Sequence, residues 1–236
     1  MKKYFILLLF PLFIKAQVVL IDPGHGGAEG GAEIKVGNKY INEKDYTLKF
    51  AKILKEQIKD RYRTYLTREN DRFVSLNQRA KMADTVKADL IISLHFNSSS
   101  YPSAAGIETY YLDNHMDKAV KKVEREENIL PGEEDFVINH ILVDLAIKLT
   151  SSNSQKLASY IHQQSVESLG PFQIKDRGHK PGLFYVLALS KRPGVLIEGG
   201  FLSNQKERKM ITESEDYLKA YAKGIAKGLD LYFSNL

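Results

Sequence analysis

The sequence contains no cysteine among its 236 residues. This absence excludes disulfide bonds, cysteine nucleophiles and metal sites built from thiolates. A metal ion bound by this chain must therefore be held by histidine, aspartate or glutamate. A strong excess of positive charge is also missing. The formal net charge is +5, but three lysines lie within the first 16 residues, and the remainder carries 31 basic and 29 acidic residues. This near balance gives no argument for nucleic-acid binding.

The sequence also lacks a hydrophobic run long enough for an ordinary membrane span. Its N-terminal apolar run, residues 4–14, follows two lysines, contains Pro11 and is followed closely by Ala16. This arrangement predicts a secretory signal peptide over residues 1–16. An uncleaved anchor is the alternative, because isoleucine stands two positions before the cut, where alanine is more usual. We therefore expect an exported protein of a bacterial periplasm or cell envelope, with no stable membrane span after cleavage and with residues 17–236 forming one domain.

Strand-like and helix-like segments alternate along most of the chain. Apolar runs bounded by turn residues predict strands, and apolar residues at helical spacing predict helices. The alternation is typical of a single α/β domain with a twisted, mostly parallel sheet and helices on both faces. The predicted strands are 18–22, 64–67, 89–95, 106–112, 183–189 and 195–198; the predicted helices are 45–59, 75–86 and 217–233; and loops are expected over 23–40 and 175–180.

A segment of different character, about residues 113–154, interrupts this pattern. It contains a predicted charged helix over 117–128 and a predicted apolar helix over 136–149, and a separate helix is predicted over 153–169. We interpret the segment as a helical insertion in the domain. A charged helix is usually a solvated face. Here the helix falls between two strands with candidate site residues, so the alternative is that it lies over the site.

Three polar residues each follow or end an apolar, strand-like run. His25 comes after the run Val18–Asp22, His95 ends the run that begins at Ala88, and Glu198 closes the run that begins at Val195. In open α/β sheets, sites form at the carboxyl ends of the strands. We therefore expect the three side chains to meet at one edge of one sheet.

Two histidines and a carboxylate can bind Zn²⁺ and leave one position open for water, which is the arrangement of catalytic zinc sites. The metal lowers the pKa of the water and polarises a carbonyl oxygen. A second carboxylate must then move a proton. His25 and His95 are the candidate nitrogen ligands, and Glu43 and Glu198 are the candidates for the two carboxylate roles. The residues alone do not decide which glutamate takes which role.

Taken in order, the motifs resemble the zinc-dependent N-acetylmuramoyl-L-alanine amidases of bacterial cell walls, in particular their division-associated branch with an inserted regulatory helix. The resemblance covers nearly all of residues 18–233. It is carried by seven segments: Ile21–Gly27, Asn42–Lys44, Thr67–Asp71, the helix with Arg79, Ser93–Asn97, Gly106–Leu112 and Val195–Asn204.

The resemblance implies one zinc ion held by His25, Glu43 and His95, with Glu198 as the catalytic carboxylate. It implies hydrolysis of the amide bond between N-acetylmuramic acid and L-alanine of the peptidoglycan stem peptide. Asn97 is expected to support the residues of the site without taking part in the reaction itself. Arg177 and Lys180 are candidates for binding carboxylates of the stem peptide, and a solvated loop is the alternative.

The inserted helix has a counterpart in the division-associated branch, where a glutamate of such a helix reaches the zinc. Glu127 corresponds to that glutamate, with Glu124 and Glu126 as rivals. This resemblance implies autoinhibition, released when an activator protein displaces the helix, and a role in cell-wall remodelling or daughter-cell separation.

Two other functions fit the same residues. The first is a zinc metallopeptidase that cleaves within the stem peptide, since the same metal site could serve it. The second is a non-catalytic wall-binding protein on the same fold. A degenerate relative of that kind would be expected to lose a ligand or Glu198, and none of these residues is missing here.

Overall fold

A six-stranded sheet forms the centre of the protein. The computed structural model describes residues 16–115, 117–128 and 140–236, so the predicted signal peptide lies almost wholly outside the described residues. The sheet consists of β1 (Val18–Pro23), β4 (Arg63–Leu66), β5 (Leu90–Asn97), β6 (Ile107–Leu112), β7 (Asp176–Gly182) and β8 (Gly194–Phe201), and a separate hairpin pairs β2 (Glu33–Val36) with β3 (Lys39–Asn42).

The strand order is β4-β1-β5-β8-β6-β7, and every neighbouring pair is parallel except β6 and β8. The predicted α/β fold with a mostly parallel sheet is therefore confirmed. Strands β1, β5 and β8 are buried over their whole length, which is why they consist of nearly continuous apolar runs. Their carboxyl ends share one edge of the sheet with the amino ends of β6 and β7.

Helices cover both faces of the sheet. They are α1 (Glu43–Ile58), α2 (Leu76–Thr85), α3 (Lys118–Glu127), α4 (His140–Ser168), α5 (Tyr185–Ser190), α6 (Gln205–Glu213) and α7 (Glu215–Ser234). One apolar layer joins the sheet to α1, α7 and the second half of α4. The other layer joins it to α2, α3, α5 and the first half of α4. None of the described helices is long and apolar enough to cross a membrane.

The alternation of side chains along the strands decides which face carries the candidate site. On β8, Ile197 lies in the α1/α7 layer, whereas Leu196 lies in the α2/α5 layer. Successive side chains of a strand point to opposite faces. Glu198 therefore shares a face with Leu196, and by the same rule His95 shares it with Ile91. Both candidate residues lie on the face that α3 covers.

Two neighbouring predictions between residues 175 and 190 are wrong. The sequence predicts a strand over 183–189, but helix α5 occupies that place, and a short apolar run does not distinguish a strand from a buried helix. The sequence predicts a loop over 175–180, but strand β7 occupies it. Because β7 is an edge strand, its polar residues and Pro181 are compatible with pairing on one side only.

The two helices predicted over 136–149 and 153–169 are a single helix where the structure describes them. Residues 136–139 lie outside the described part, and α4 runs without a break from His140. Thr150 donates from Oγ1 to the Ala146 carbonyl oxygen at 2.8 Å, which is one turn earlier in the same helix. This side chain therefore does not end the helix. The helix crosses residue 154, the predicted end of the insertion, whose boundaries stay a prediction.

Two short elements are absent from the predicted set. The loop expected over 23–40 contains most of the β2–β3 hairpin, which turns at Gly37 with a positive φ of 60°. Helix α6 begins where the side chain of Asn204 accepts the N–H groups of Lys206 and Glu207. Both elements are too short to give a clear periodic signal.

Candidate active site

His25 lies in the turn that follows β1. Its backbone is left-handed (φ 58°), which is uncommon for a residue other than glycine. Arg79 donates from Nη2 to the His25 carbonyl oxygen at 2.9 Å and so holds the turn. A Cβ atom on Gly24 would overlap the ring of His95. The glycine therefore lets the two imidazoles approach, and their ring centroids are 4.9 Å apart.

A buried chain of polar groups orients the His95 ring through its Nε2 atom. Ser93 Oγ lies 3.2 Å from His95 Nε2 and donates to Asp22 Oδ2 at 2.8 Å. Asp22 also accepts from Thr67 Oγ1 and forms a buried ion pair with Arg79. Burial alone would raise the pKa of Asp22, but the charge of Arg79 and these hydrogen bonds hold it below its usual value. With Nε2 occupied in this way, the Nδ1 atom of His95 faces the site.

Glu43 is the first residue of α1, and the main chain fixes both of its carboxylate oxygens. Oε1 accepts the Phe96 N–H at 2.9 Å, and Oε2 accepts the Ala32 N–H at 2.8 Å. The same oxygens lie 3.3 Å from His95 Nδ1 and 3.2 Å from His25 Nε2. The carboxylate is therefore held between the two imidazoles.

Glu127 reaches the same point from the last turn of α3. Its Oε2 atom lies 2.6 Å from His95 Nδ1 and 3.3 Å from His25 Nε2. The end of α3 is held by Asn128, which donates from Nδ2 to the Leu183 carbonyl oxygen at 2.8 Å and accepts the Tyr185 N–H at 2.9 Å. Helix α3 therefore lies over the site.

The rival glutamates of α3 have other partners. Glu124 pairs with His115 and accepts the Leu183 N–H. Glu126 pairs with Lys122 at 3.6 Å, one turn back on the helix. Of the three candidates, Glu127 is the one whose carboxylate joins the histidines.

The four side chains together form a candidate metal site. One ligand atom from each of His25, Glu43, His95 and Glu127 lies within 4.8 Å of the other three. His25 Nε2, His95 Nδ1 and Glu127 Oε2 are buried and face one another, and none of the three makes a well-directed hydrogen bond among the described residues. A metal ion would satisfy three buried polar atoms that converge in this way. Two imidazole nitrogens and carboxylate oxygens at one point suit zinc, so these residues fit a zinc ion.

The charges of this cluster act strongly on one another. Burial lowers the pKa of His25, but the carboxylates of Glu43 and Glu127 outweigh it and raise that pKa well above its usual value. Burial also opposes protonation of His95, yet Glu127 and Glu43 raise its pKa to about 10. The carboxylates therefore draw positive charge, either protons or a metal ion, to this point.

Glu198 lies beside the cluster in the middle of the sheet. On β8 it stands in register with His95 of β5 on one side and with Glu108 of β6 on the other. It is completely buried, and both carboxylate oxygens lack a hydrogen-bond partner among the described residues. Burial raises its pKa well above the usual value, and the negative charge of Glu127 adds to the effect. A carboxyl group in such surroundings is suited to proton transfer.

Glu108 is a buried residue of the site that the sequence analysis did not single out. Its Oε1 atom accepts Arg177 Nε at 2.6 Å and Lys180 Nζ at 2.9 Å. Its Oε2 atom accepts Tyr110 Oη at 2.7 Å and Asn97 Nδ2 at 3.3 Å. Glu108 therefore joins the two residues that the sequence placed near the site, Asn97 and Arg177. A glutamate within an apolar strand is the same signal that identified Glu198.

Comparison with known proteins is consistent with this geometry. The sequence profile of a family described as N-acetylmuramoyl-L-alanine amidase matches residues 19–230. Protein YqiI of Bacillus subtilis (strain 168) is 33% identical over 93% of this chain and 86% of its own length. The N-acetylmuramoyl-L-alanine amidase AmiA of Escherichia coli (strain K12) is 30% identical over 92% of this chain and 76% of its own length.

A solved structure also matches. The crystal structure of an N-acetylmuramoyl-L-alanine amidase from Clostridium difficile 630 is similar with a TM-score of 0.72 and 30% sequence identity. The match covers 93% of this chain and 97% of the other.

Proposed function

This chain belongs to the N-acetylmuramoyl-L-alanine amidase family, and on that basis we propose that it hydrolyses the amide bond between N-acetylmuramic acid and L-alanine of the peptidoglycan stem peptide. The convergence of His25, Glu43, His95 and Glu198 at one sheet edge is the observation that supports this activity best. Because every one of these residues is present and buried, a catalytic role fits them better than wall binding alone.

One zinc ion is the proposed cofactor, with His25, Glu43 and His95 as its protein ligands. The buried atoms His25 Nε2 and His95 Nδ1, which face the carboxylate of Glu43 and make no well-directed hydrogen bond, support this assignment. Zinc supplies a water molecule of lowered pKa and a positive charge that polarises the substrate carbonyl. The Phe96 and Ala32 N–H groups hold Glu43 in place for ligation. Asn97 acts indirectly, since it orients the buried carboxylate of Glu108.

Removing one ligand tests the zinc assignment without any assay of activity. His95→Ala is expected to bind zinc at least about 100-fold more weakly than the unchanged protein, measured by competition with a chromogenic chelator. His179→Ala is the matched control, because His179 lies outside the cluster and contacts His162 and Tyr111 instead. Equal zinc affinity of the His95→Ala and His179→Ala proteins would show that the ion is held elsewhere.

Glu198 is the proposed proton carrier. It accepts a proton from the attacking water and donates it to the amide nitrogen as the carbon–nitrogen bond breaks, which yields a free carboxyl group on the lactyl side and a free L-alanine amine. A buried carboxyl group with an elevated pKa can both take and return a proton near neutral pH. Its position in register with His95 supports this role.

Glu127 is the proposed autoinhibitory ligand. A zinc site of this class needs one position open for water, and the contact of Glu127 Oε2 with both imidazoles supports its occupation of that position. Activity then requires α3 to move away. We infer an activator protein that binds the α3 segment better in its displaced state, because a ligand shifts such an equilibrium only by its difference in affinity for the two states.

Arg177 is the proposed contact for a carboxylate of the stem peptide. Its Nε is bonded to Glu108, while its side chain keeps 28% exposure and stacks on the Phe201 ring. Arg177→Gln is expected to raise KM by about tenfold for a stem peptide with a free carboxylate at its second residue. The same variant should change KM little when that carboxylate is amidated. An equal change for both substrates would exclude the assignment.

The proposed setting follows from the sequence of the first 16 residues. A signal peptide there would export the enzyme to the periplasm or cell envelope, where peptidoglycan lies. Cell-wall remodelling or daughter-cell separation is the proposed role, and an activator would confine hydrolysis to sites where the wall must open.

The activity is tested on N-acetylmuramoyl-L-alanyl-D-glutamyl peptides with the Glu127→Ala protein. Release of an amine that belongs to L-alanine, dependent on added zinc, is the expected result. Release of an amine from a residue further along the peptide would favour a metallopeptidase. Stable binding without any released amine would favour a wall-binding protein.

A further inference from the structure

We propose that Phe73 and the groove along α2 form a subsite for the saccharide ring of the substrate, an inference that rests on the proposed function. Phe73 is 43% exposed. It lines the cleft that contains His25, His95 and Glu127. It also lines a neighbouring groove of about 300 Å³, so Phe73 stands where the two meet.

The chain holds Phe73 firmly beside the turn of His25. A Cβ atom on Gly26 would overlap the Arg72 carbonyl oxygen, and one on Gly27 would lie 2.5 Å from the Phe73 main-chain nitrogen. Both glycines have positive φ angles, 135° and 61°. They therefore let residues 72 and 73 cross directly over the turn. The two glycines therefore make room for main-chain atoms of residues 72 and 73 rather than for a ligand.

Ionic contacts fix the same segment. Asp71 accepts the Gly27 N–H at 2.7 Å and Lys44 Nζ at 2.8 Å. Arg68 is fully buried and donates to the carbonyl oxygens of Pro23, Gly24 and Asn70. An exposed phenylalanine on a mobile loop would need no explanation. An exposed phenylalanine at the wall of the cleft, whose main chain is held on its N-terminal side by these contacts, is preorganised for a ligand.

The groove has the composition that a hexosamine ring requires. Phe73 and Met82 supply apolar surface for the flat face of a sugar, and the buried Val74 lies at the groove's wall. Arg72, Gln78 and Lys81 supply donors for its hydroxyl and acetamido groups. Gln78 Oε1 accepts the Ser75 N–H at 2.9 Å, which fixes the side-chain amide at the groove.

The topology separates this subsite from the proposed peptide contact. The scissile amide bond joins a saccharide to a peptide, so the two parts of the substrate must leave the centre in different directions. The Phe73 segment packs on the turn after β1, whereas Arg177 lies on β7 at the far end of the sheet. Strands β5 and β8, with His95 and Glu198, lie between them. The saccharide therefore lies on the β1 side and the peptide on the β7 side.

The test compares two substrates in the Glu127→Ala protein. One is N-acetylmuramoyl-L-alanyl-D-glutamate, and the other is D-lactoyl-L-alanyl-D-glutamate, which keeps the scissile bond and lacks the sugar. Phe73→Ala is expected to raise KM for the first substrate by about five- to tenfold, with little change in kcat. The same substitution should leave KM for the lactoyl peptide unchanged. Phe73→Tyr retains the ring and should restore KM, and Tyr101→Ala removes a more exposed aromatic ring (73%) and should change neither substrate.

Direct binding provides a second readout. In Glu127→Ala/Glu198→Gln protein, titration calorimetry with N-acetylmuramoyl-L-alanyl-D-glutamate should show the same loss of affinity when Phe73 is replaced by alanine. An equal rise in KM for both substrates on replacement of Phe73, or an unchanged Kd for N-acetylmuramoyl-L-alanyl-D-glutamate, would overturn the proposed subsite. If Glu127→Ala protein cleaves neither substrate while the Kd still depends on Phe73, the proposed hydrolysis fails and the saccharide subsite stands.

Discussion

Replacing Glu127 with alanine is expected to raise the rate of peptidoglycan hydrolysis by at least about tenfold, which corresponds to about 1.4 kcal/mol of inhibitory contact. The reason is the position of Glu127 Oε2, 2.6 Å from His95 Nδ1, where we propose that it takes the place of the water molecule. Three ligands remain in the variant, so zinc should stay bound. The rate is measured by release of dye-labelled fragments from purified peptidoglycan.

Glu126→Ala is the matched control for this activation. Glu126 precedes Glu127 on the same helix, but its partner is Lys122. The control should therefore keep the low rate of the unchanged protein. An unchanged rate for folded, zinc-loaded Glu127→Ala protein would exclude autoinhibition by this residue. Activation by both variants would instead point to a general loosening of α3.

Replacing Glu198 with glutamine is expected to lower kcat by about 10²- to 10⁴-fold in the Glu127→Ala protein. Glutamine has the same shape but cannot carry the proton between water and the leaving nitrogen. Because neither oxygen of Glu198 accepts a hydrogen bond from the described residues, the substitution should not lower the free energy of unfolding. Zinc content should also be unchanged. Initial rates, calorimetric melting and metal analysis measure the three quantities.

Glu207→Gln separates this role from that of a structural glutamate. Glu207 is also buried, but its oxygens accept the N–H groups of Gly106 and Phe201 at 2.7 Å each. Its replacement should lower the free energy of unfolding by about 1–3 kcal/mol, with a much smaller effect on kcat. If Glu198→Gln protein retained full activity, another group would have to move the proton.

Local signals explain why much of the site could be predicted from the sequence. His25, His95 and Glu198 each stand at or near the end of a buried strand, and parallel strands end at a common edge. Four apolar residues followed by Asp-Pro-Gly-His are enough to indicate such an end. That rule does not reach Glu108, which is the second residue of the strand Ile107–Leu112. Its signal is instead a charged residue within an apolar strand, since a buried charge needs a partner.

Long-range contacts explain what could not be predicted. The position of Glu43 depends on α1 beginning beside β5, where its carboxylate meets the N–H of Phe96, 53 residues away. The residues alone therefore leave the carboxylate roles of Glu43 and Glu198 open, and the family resemblance assigns them. The exchange of strand and helix between residues 175 and 190 has a similar cause. The polar residues of β7 form a strand because they pair with β6 at the sheet edge. The apolar run of α5 forms a helix that packs against α2.

The most direct test of the proposed activity is a digest of purified peptidoglycan by zinc-loaded Glu127→Ala protein lacking residues 1–16, with products identified by mass spectrometry. The expected products are free stem peptides that begin with L-alanine and glycan strands with intact lactyl carboxyl groups, both absent when Glu198 is also replaced by glutamine. Fragments cut within the peptide, or the same products from the Glu198→Gln protein, would contradict the proposed reaction and the proposed role of Glu198.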